Sequence, residues 1–226
     1  MASRLNTAAG LLAIAVLFLI ANHGAYRGYF DGDDLDNISW SRGVDFPVFA
    51  RAFLNPFPNT PGNFRAVGQI MYMALGRGAP LSFPAYIAWV HGVHLLTALI
   101  LFLLFRELHC TLAGTFAGTL FFALNPASFE IYWKPMYVFD LTAGLFCALA
   151  LLSWIRGRWI VALLCFWLAI KAKESAVMLP FALAAYEWTV GSRRWKLLAP
   201  FFVIAAGLVS KAMLMNKVQP PDYRPW

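Results

Sequence analysis

Ala85-Tyr-Ile-Ala-Trp-Val-His-Gly-Val-His-Leu-Leu-Thr-Ala-Leu-Ile-Leu-Phe-Leu-Leu-Phe105 runs without a single Lys, Arg, Asp or Glu. A helix of about twenty apolar residues is what the hydrocarbon layer of a bilayer requires. The rest of the chain repeats the theme. Of its 226 residues, 61% are AVILMFWYC and only 13% are charged, too few to coat a soluble globule. A bilayer removes the problem by solvating the outer faces of the helices. Nine Trp in a chain that is 16% aromatic also suit the headgroup level.

Outward from that stretch, further apolar runs cover Thr7–His23, Leu112–Leu124, Leu141–Ile155, Trp159–Ile170, Ser175–Val190 and Leu197–Leu214. The expected architecture is all-α: a polytopic membrane helical bundle of about seven transmembrane helices, forming one membrane domain over 1–226. Leu112–Leu124 and Trp159–Ile170 are thin for a crossing. The run after Met1-Ala-Ser-Arg4 has no small-x-small cleavage site behind it and reads as a retained helix. Residues 24–84 form a long polar first outer loop holding five of the eleven acids, and 215–226 form a polar tail. Within the loop, Val44–Leu54 and Phe64–Leu75 are expected to be short amphipathic helices on the membrane surface.

Basic residues set the orientation. With the N-terminus inside, the short inner loops hold Arg106, then Arg156 and Arg158, then Arg193, Arg194 and Lys196. The long loop, the segment Asn125–Phe139 and the turn Lys171–Glu174 then share the outer face. The net charge of +7 lies mostly at the ends of apolar runs, so it points to membrane lipids and topology and away from nucleic acid. Cys110, Cys147 and Cys165 are odd in number and lack a CxxC, and read as small buried hydrophobes. Gly114 and Gly118 form a GxxxG patch suited to close helix packing. No P-loop, GxGxxG or GxSxG occurs.

The densest polar cluster is Asp31-Gly-Asp33-Asp34-Leu-Asp36-Asn37, just after the first run. Mutual repulsion among four carboxylates raises some of their pKa values. One could take a proton from a hydroxyl, or several could hold a divalent cation through oxygen. The plainer reading is a solvated loop or the cap of a following helix. The spacing is not that of an EF-hand. His91 and His94, three apart, share a helix face; an inter-helix hydrogen bond is the expected role, ahead of a metal site.

An acidic pair in the first outer loop resembles the C-type (GT-C) membrane glycosyltransferases, and three further segments agree. Asn125-Pro-Ala-Ser-Phe-Glu130 through Asp140-Leu-Thr-Ala-Gly-Leu-Phe is similar to a Pro, Glu and Asp-Leu pattern of the protein O-mannosyltransferase-like branch that carries tetratricopeptide repeats. Lys173-Glu174-Ser-Ala-Val-Met-Leu-Pro180 resembles that branch's Lys-Glu, Ala-Val and Leu-Pro signature, and Glu187 stands where the branch often has an acid. Asn63-Phe64-Arg65, Pro84-Ala-Tyr86 and His94-Leu-Leu-Thr-Ala-Leu resemble its remaining elements, although Ala66 follows Arg65 where the branch has Pro.

The resemblance spans about Asp31 to Lys211 and implies a shortened or truncated module without the repeats. It implies a lipid-linked sugar donor on a polyprenyl phosphate, an acceptor hydroxyl on the extracytoplasmic face and Asp33 or Asp34 as catalytic base. Arg65, Lys171 and Lys173 are the implied cations for the leaving phosphate. Glu130, Asp140 and Glu174 are the remaining substrate-binding candidates. For Glu130 and Asp140, ion pairing with Lys134 and the Lys171–Lys173 turn is the stronger expectation. A divalent cation is compatible with this chemistry but is not implied, and no metal ligands are assigned. The expected location is a bacterial inner membrane. Two readings stay open: the enzyme, and a non-catalytic subunit derived from the same fold that assembles with membrane protein partner chains. A transporter fits less well, because the charges sit at span ends and no internal repeat is evident.

Overall fold

The computed structural model describes residues 2–53, 65–79 and 81–218. Among them the secondary structure is entirely helical. The chain opens with α1 (Ala2–Ala21). Next come three short helices, α2 (Gly32–Gly43), α3 (Phe46–Arg51) and α4 (Ile70–Gly78). The bundle continues with α5 (Phe83–Glu107), α6 (Leu112–Leu124), α7 (Phe129–Trp133), α8 (Val138–Ile155), α9 (Trp159–Ala172), α10 (Leu179–Thr189) and α11 (Trp195–Val218).

Three stretches are long and apolar enough to cross a membrane: Phe83–Glu107, Leu112–Trp133 and Pro135–Ile155. The second is interrupted at Asn125, whose side chain caps a 3-10 turn by accepting from the Ala127 N–H at 3.1 Å. Asn6–Ala21, Trp159–Ala172 and Trp195–Ser210 are apolar but shorter. The run Ser175–Val190 is not one continuous helix. It divides into a 3-10 turn, Glu174–Met178, and the eleven residues of α10, because Pro180 lacks an N–H and suits a helix's first turn.

Large side chains stand exposed on the bundle's sides, among them Leu12 (66%), Phe121 (70%), Leu164 (60%) and Val203 (70%). Such an apolar mantle needs a non-aqueous covering. Inside, Trp154, Phe166 and Phe201 are fully buried and meet ring to ring at 5.5 Å centroid distances, joining α8, α9 and α11. His91 and His94 of α5 bind the Tyr132 and Ala123 carbonyls of neighbouring helices, each at 3.1 Å, so both serve as inter-helix hydrogen bonds.

The long loop is more ordered than a solvated loop. The acidic cluster forms the start of α2 through a capping box: the Asp31 carboxylate accepts from Gly32 N at 2.8 Å, and Asp34 Oδ2 accepts from Asp31 N at 3.0 Å. The two expected amphipathic helices shrink to α3 and α4; Leu54 and Phe64 lie outside the described residues.

The helix ends sort into two groups. At one end Arg156 Nε donates to Glu107 Oε1 at 2.7 Å, and Glu187 joins Trp154 and Arg194. At the other lie Trp133 bound to Asn22, Lys173 bound to Asp140 and Arg65 bound to Glu174.

Candidate functional site

At the second end lies a cavity of about 210 Å³ lined by Asp33, Asn37, Arg65, Gln69, Asp140 and Lys173, with Met136, Tyr137 and Phe139 as its remaining wall. Each polar group arrives by a local rule. Asp33 stands in the first turn of α2, where a carboxylate is stabilised by the helix dipole. Asn37, one turn on, donates from Nδ2 to the Asp33 carbonyl at 2.7 Å. Its Oδ1 accepts from Gln69 Nε2 at 2.7 Å, which ties α2 to the turn before α4. That turn is anchored to the end of α9 by Val67 N donating to the Lys171 carbonyl at 3.0 Å. Gly68 lets the turn lie against Phe139; a Cβ there would collide with the ring.

Two ion pairs frame the opening. Arg65 grips Glu174 with two parallel hydrogen bonds, 3.0 Å from Nε and 2.6 Å from Nη2. Glu174 thereby holds the guanidinium pKa above its ordinary value, and the guanidinium's hydrogen bonds hold Glu174 below the usual carboxylate range. Lys173 Nζ donates to Asp140 Oδ2 at 2.6 Å, so Asp140 takes the pairing role expected of it. Lys173 itself sits just past α9 in extended backbone, which turns its side chain toward α8.

The geometry separates residues that the sequence grouped. Asp33 lines the cavity, whereas Asp34 is completely buried. Tyr72 donates its hydroxyl to Asp34 Oδ1 at 2.8 Å, and burial pushes the Asp34 carboxyl upward in pKa. The Tyr72 phenol is pushed up as well, chiefly by burial. Asp34 therefore caps α2 and packs against Tyr72, and of the two acids only Asp33 lines this cavity.

Lys171 is also withdrawn from the cavity. It is 1% exposed, with Nζ 4.9 Å from the centre of the Trp167 ring, so it neither faces the opening nor snorkels to water. Glu174 acts on the cavity through Arg65, without lining it. Glu130 lines a different cavity, together with Asp31 and Lys134.

Asn37 and Gln69 belong to the site, and sequence reasoning did not select them. Their only signals were position: Asn37 follows Asp33 by four residues, and Gln69 follows Arg65 by four. Among the described residues no group of three or more His, Cys, Asp or Glu is arranged to hold a metal ion.

Chemically, the cavity offers one carboxylate open to a hydroxyl, an amide pair fixing the helix that carries it, and two cations able to face developing negative charge. Comparison with protein-family models, with curated proteins and with solved structures finds no match for this chain.

Proposed function

We propose that the chain is a membrane glycosyltransferase that moves a sugar from a polyprenyl-phosphate donor to an acceptor hydroxyl on the extracytoplasmic face. The observation that carries the reading is that Asp33 alone of the clustered acids α2 shares with Asp34 opens on a cavity also lined by Arg65 and Lys173. In this reading the bundle crosses the membrane about seven times with its N-terminus in the cytoplasm. The thin α6 and α9 cross with help from flanking residues and local bilayer thinning.

The reaction is a single displacement. Asp33 takes the proton of the acceptor hydroxyl as its oxygen attacks the anomeric carbon. The bond from that carbon to the phosphate oxygen breaks, and the configuration inverts. The polyprenyl phosphate leaves with the electron pair and the negative charge. Arg65 and Lys173 meet that charge by exchanging Glu174 and Asp140 for phosphate oxygens.

That exchange also supports a second reading. Both cations already hold carboxylates, which is the arrangement of a structural network, and the exposed apolar flank offers helices to other membrane proteins. In that reading the chain is a non-catalytic membrane subunit.

Reconstituted protein supplied with a panel of radiolabelled polyprenyl-phosphate hexoses and pentoses, together with membrane extracts as acceptor, separates the two. The enzyme reading expects release of polyprenyl phosphate and a product of inverted anomeric configuration. Folded protein that transfers from none of the donors contradicts it and leaves the subunit reading.

A further inference from the structure

The second outer cavity, about 220 Å³, shares no lining residue with the first. Its walls are aromatic: Phe83, Phe129, Trp133 and the widely exposed Tyr29. Its charges are Asp31, Glu130 and Lys134. We infer that this cavity is a binding site for a zwitterionic phospholipid headgroup, with the ammonium against the aromatic wall and Glu130, and the phosphate on Lys134.

The wall is built, not incidental. The Trp133 indole N–H donates to Asn22 Oδ1 at 2.7 Å, and Asn22 Nδ2 in turn donates to the Phe18 carbonyl at 2.9 Å. This chain of hydrogen bonds fixes the plane of the indole. Phe129 meets Trp133 edge to face at 6.0 Å, and Phe83 meets Phe30 in the same way at 5.1 Å. Gly28 permits the approach of Phe83, because a Cβ there would stand 2.8 Å from the ring. A fixed aromatic wall binds an ammonium through the ring quadrupole.

Charge selects the occupant. Glu130 and Lys134 lie one turn apart, and among the described residues neither has an ion-pair partner. Two carboxylates and one lysine give the cavity a net charge of −1, which repels a purely anionic headgroup and suits one that adds an ammonium to its phosphate. Placement agrees: the cavity lies between the stretch leading into α2, the start of α5 and α7 with its following residue, at the level that headgroups occupy if the bundle spans a bilayer. The inference does not depend on sugar transfer.

The test is native mass spectrometry of the purified, delipidated full chain titrated with an equimolar mixture of phosphatidylethanolamine and phosphatidylglycerol of matched acyl chains. The expected result is a several-fold excess of bound phosphatidylethanolamine. Glu130→Gln, at an exposed carboxylate, brings the ratio to about one. Lys134→Gln lowers binding of both lipids, since both carry the phosphate. Equal binding in the unaltered protein, or an unchanged ratio in Glu130→Gln, overturns the inference. Glycerophosphoethanolamine in tenfold excess should fail to displace the lipid; full displacement would assign the site to a soluble phosphodiester instead and overturn the lipid assignment.

Discussion

The two ends of the bundle hold similar residues in opposite states. At one end Glu187 is completely buried and its carboxylate accepts four hydrogen bonds: Trp154 Nε1 donates at 2.7 Å, Arg194 N at 2.8 Å, and Arg194 Nε and Nη2 at 3.1 and 2.9 Å. The Arg194 guanidinium also lies 4.8 Å from the Trp154 ring centre and donates to the Trp154 carbonyl. At the other end the pairs Arg65–Glu174 and Lys173–Asp140 remain a quarter to three-fifths exposed, and the cation of each lines a cavity. A buried carboxylate held by four hydrogen bonds is a fastener. A half-exposed pair beside a cavity can change partners. Ion pairing alone therefore does not tell the two ends apart; burial of the carboxylate and the number of hydrogen bonds it accepts do.

The largest effect should come from breaking the fastener. Glu187→Gln leaves the Arg194 charge without its carboxylate and should cost about 3 kcal/mol of stability, read by unfolding in mixed detergent micelles. Tyr72→Phe should cost roughly 1 to 2 kcal/mol, because Asp34 loses a buried donor. The same carboxyl sets a pH dependence. Its folded pKa lies above the unfolded value of about 4, so the folded state binds its proton more tightly. That contribution is full below the unfolded value and is lost as pH rises through the folded one. Asp34→Asn should flatten this part of the profile of unfolding free energy against pH. The smallest effect belongs to the open end: Glu174→Gln should change stability by under about 1 kcal/mol, and the change should vanish at high salt. A large, salt-insensitive loss there would erase the contrast between the two ends.

Some of this was legible in the sequence and some was not, for identifiable reasons. The absence of charge from Ala85 to Phe105 announced α5, and short basic loops announced which helix ends lie together. Helix α2 was hidden because Gly32–Gly43 carries few apolar residues; its signal was the Asp31–Asp34 capping box, legible only as one alternative for the acidic cluster. Asp33 and Asp34 could not be told apart, because neighbours on a helix point about 100° apart and the inward direction depends on Tyr72, thirty-eight residues away. Lys171 and Lys173 differ in the same way: one ends a buried helix face and the other follows it in extended backbone. Local pattern fixes which residues carry charge. Tertiary packing decides which of them meet the cavity.

The most direct test compares Asp33→Asn with Asp34→Asn in one transfer assay, with folding of both variants verified by size-exclusion profile and helicity. The account predicts that Asp33→Asn lowers sugar transfer by about 10²–10⁴-fold, as expected for loss of a general base, with a stability loss of no more than about 1 kcal/mol from the helix dipole. It predicts that Asp34→Asn keeps most of the transfer rate and alters stability instead. Equal loss in both variants, or loss confined to Asp34→Asn, would contradict it.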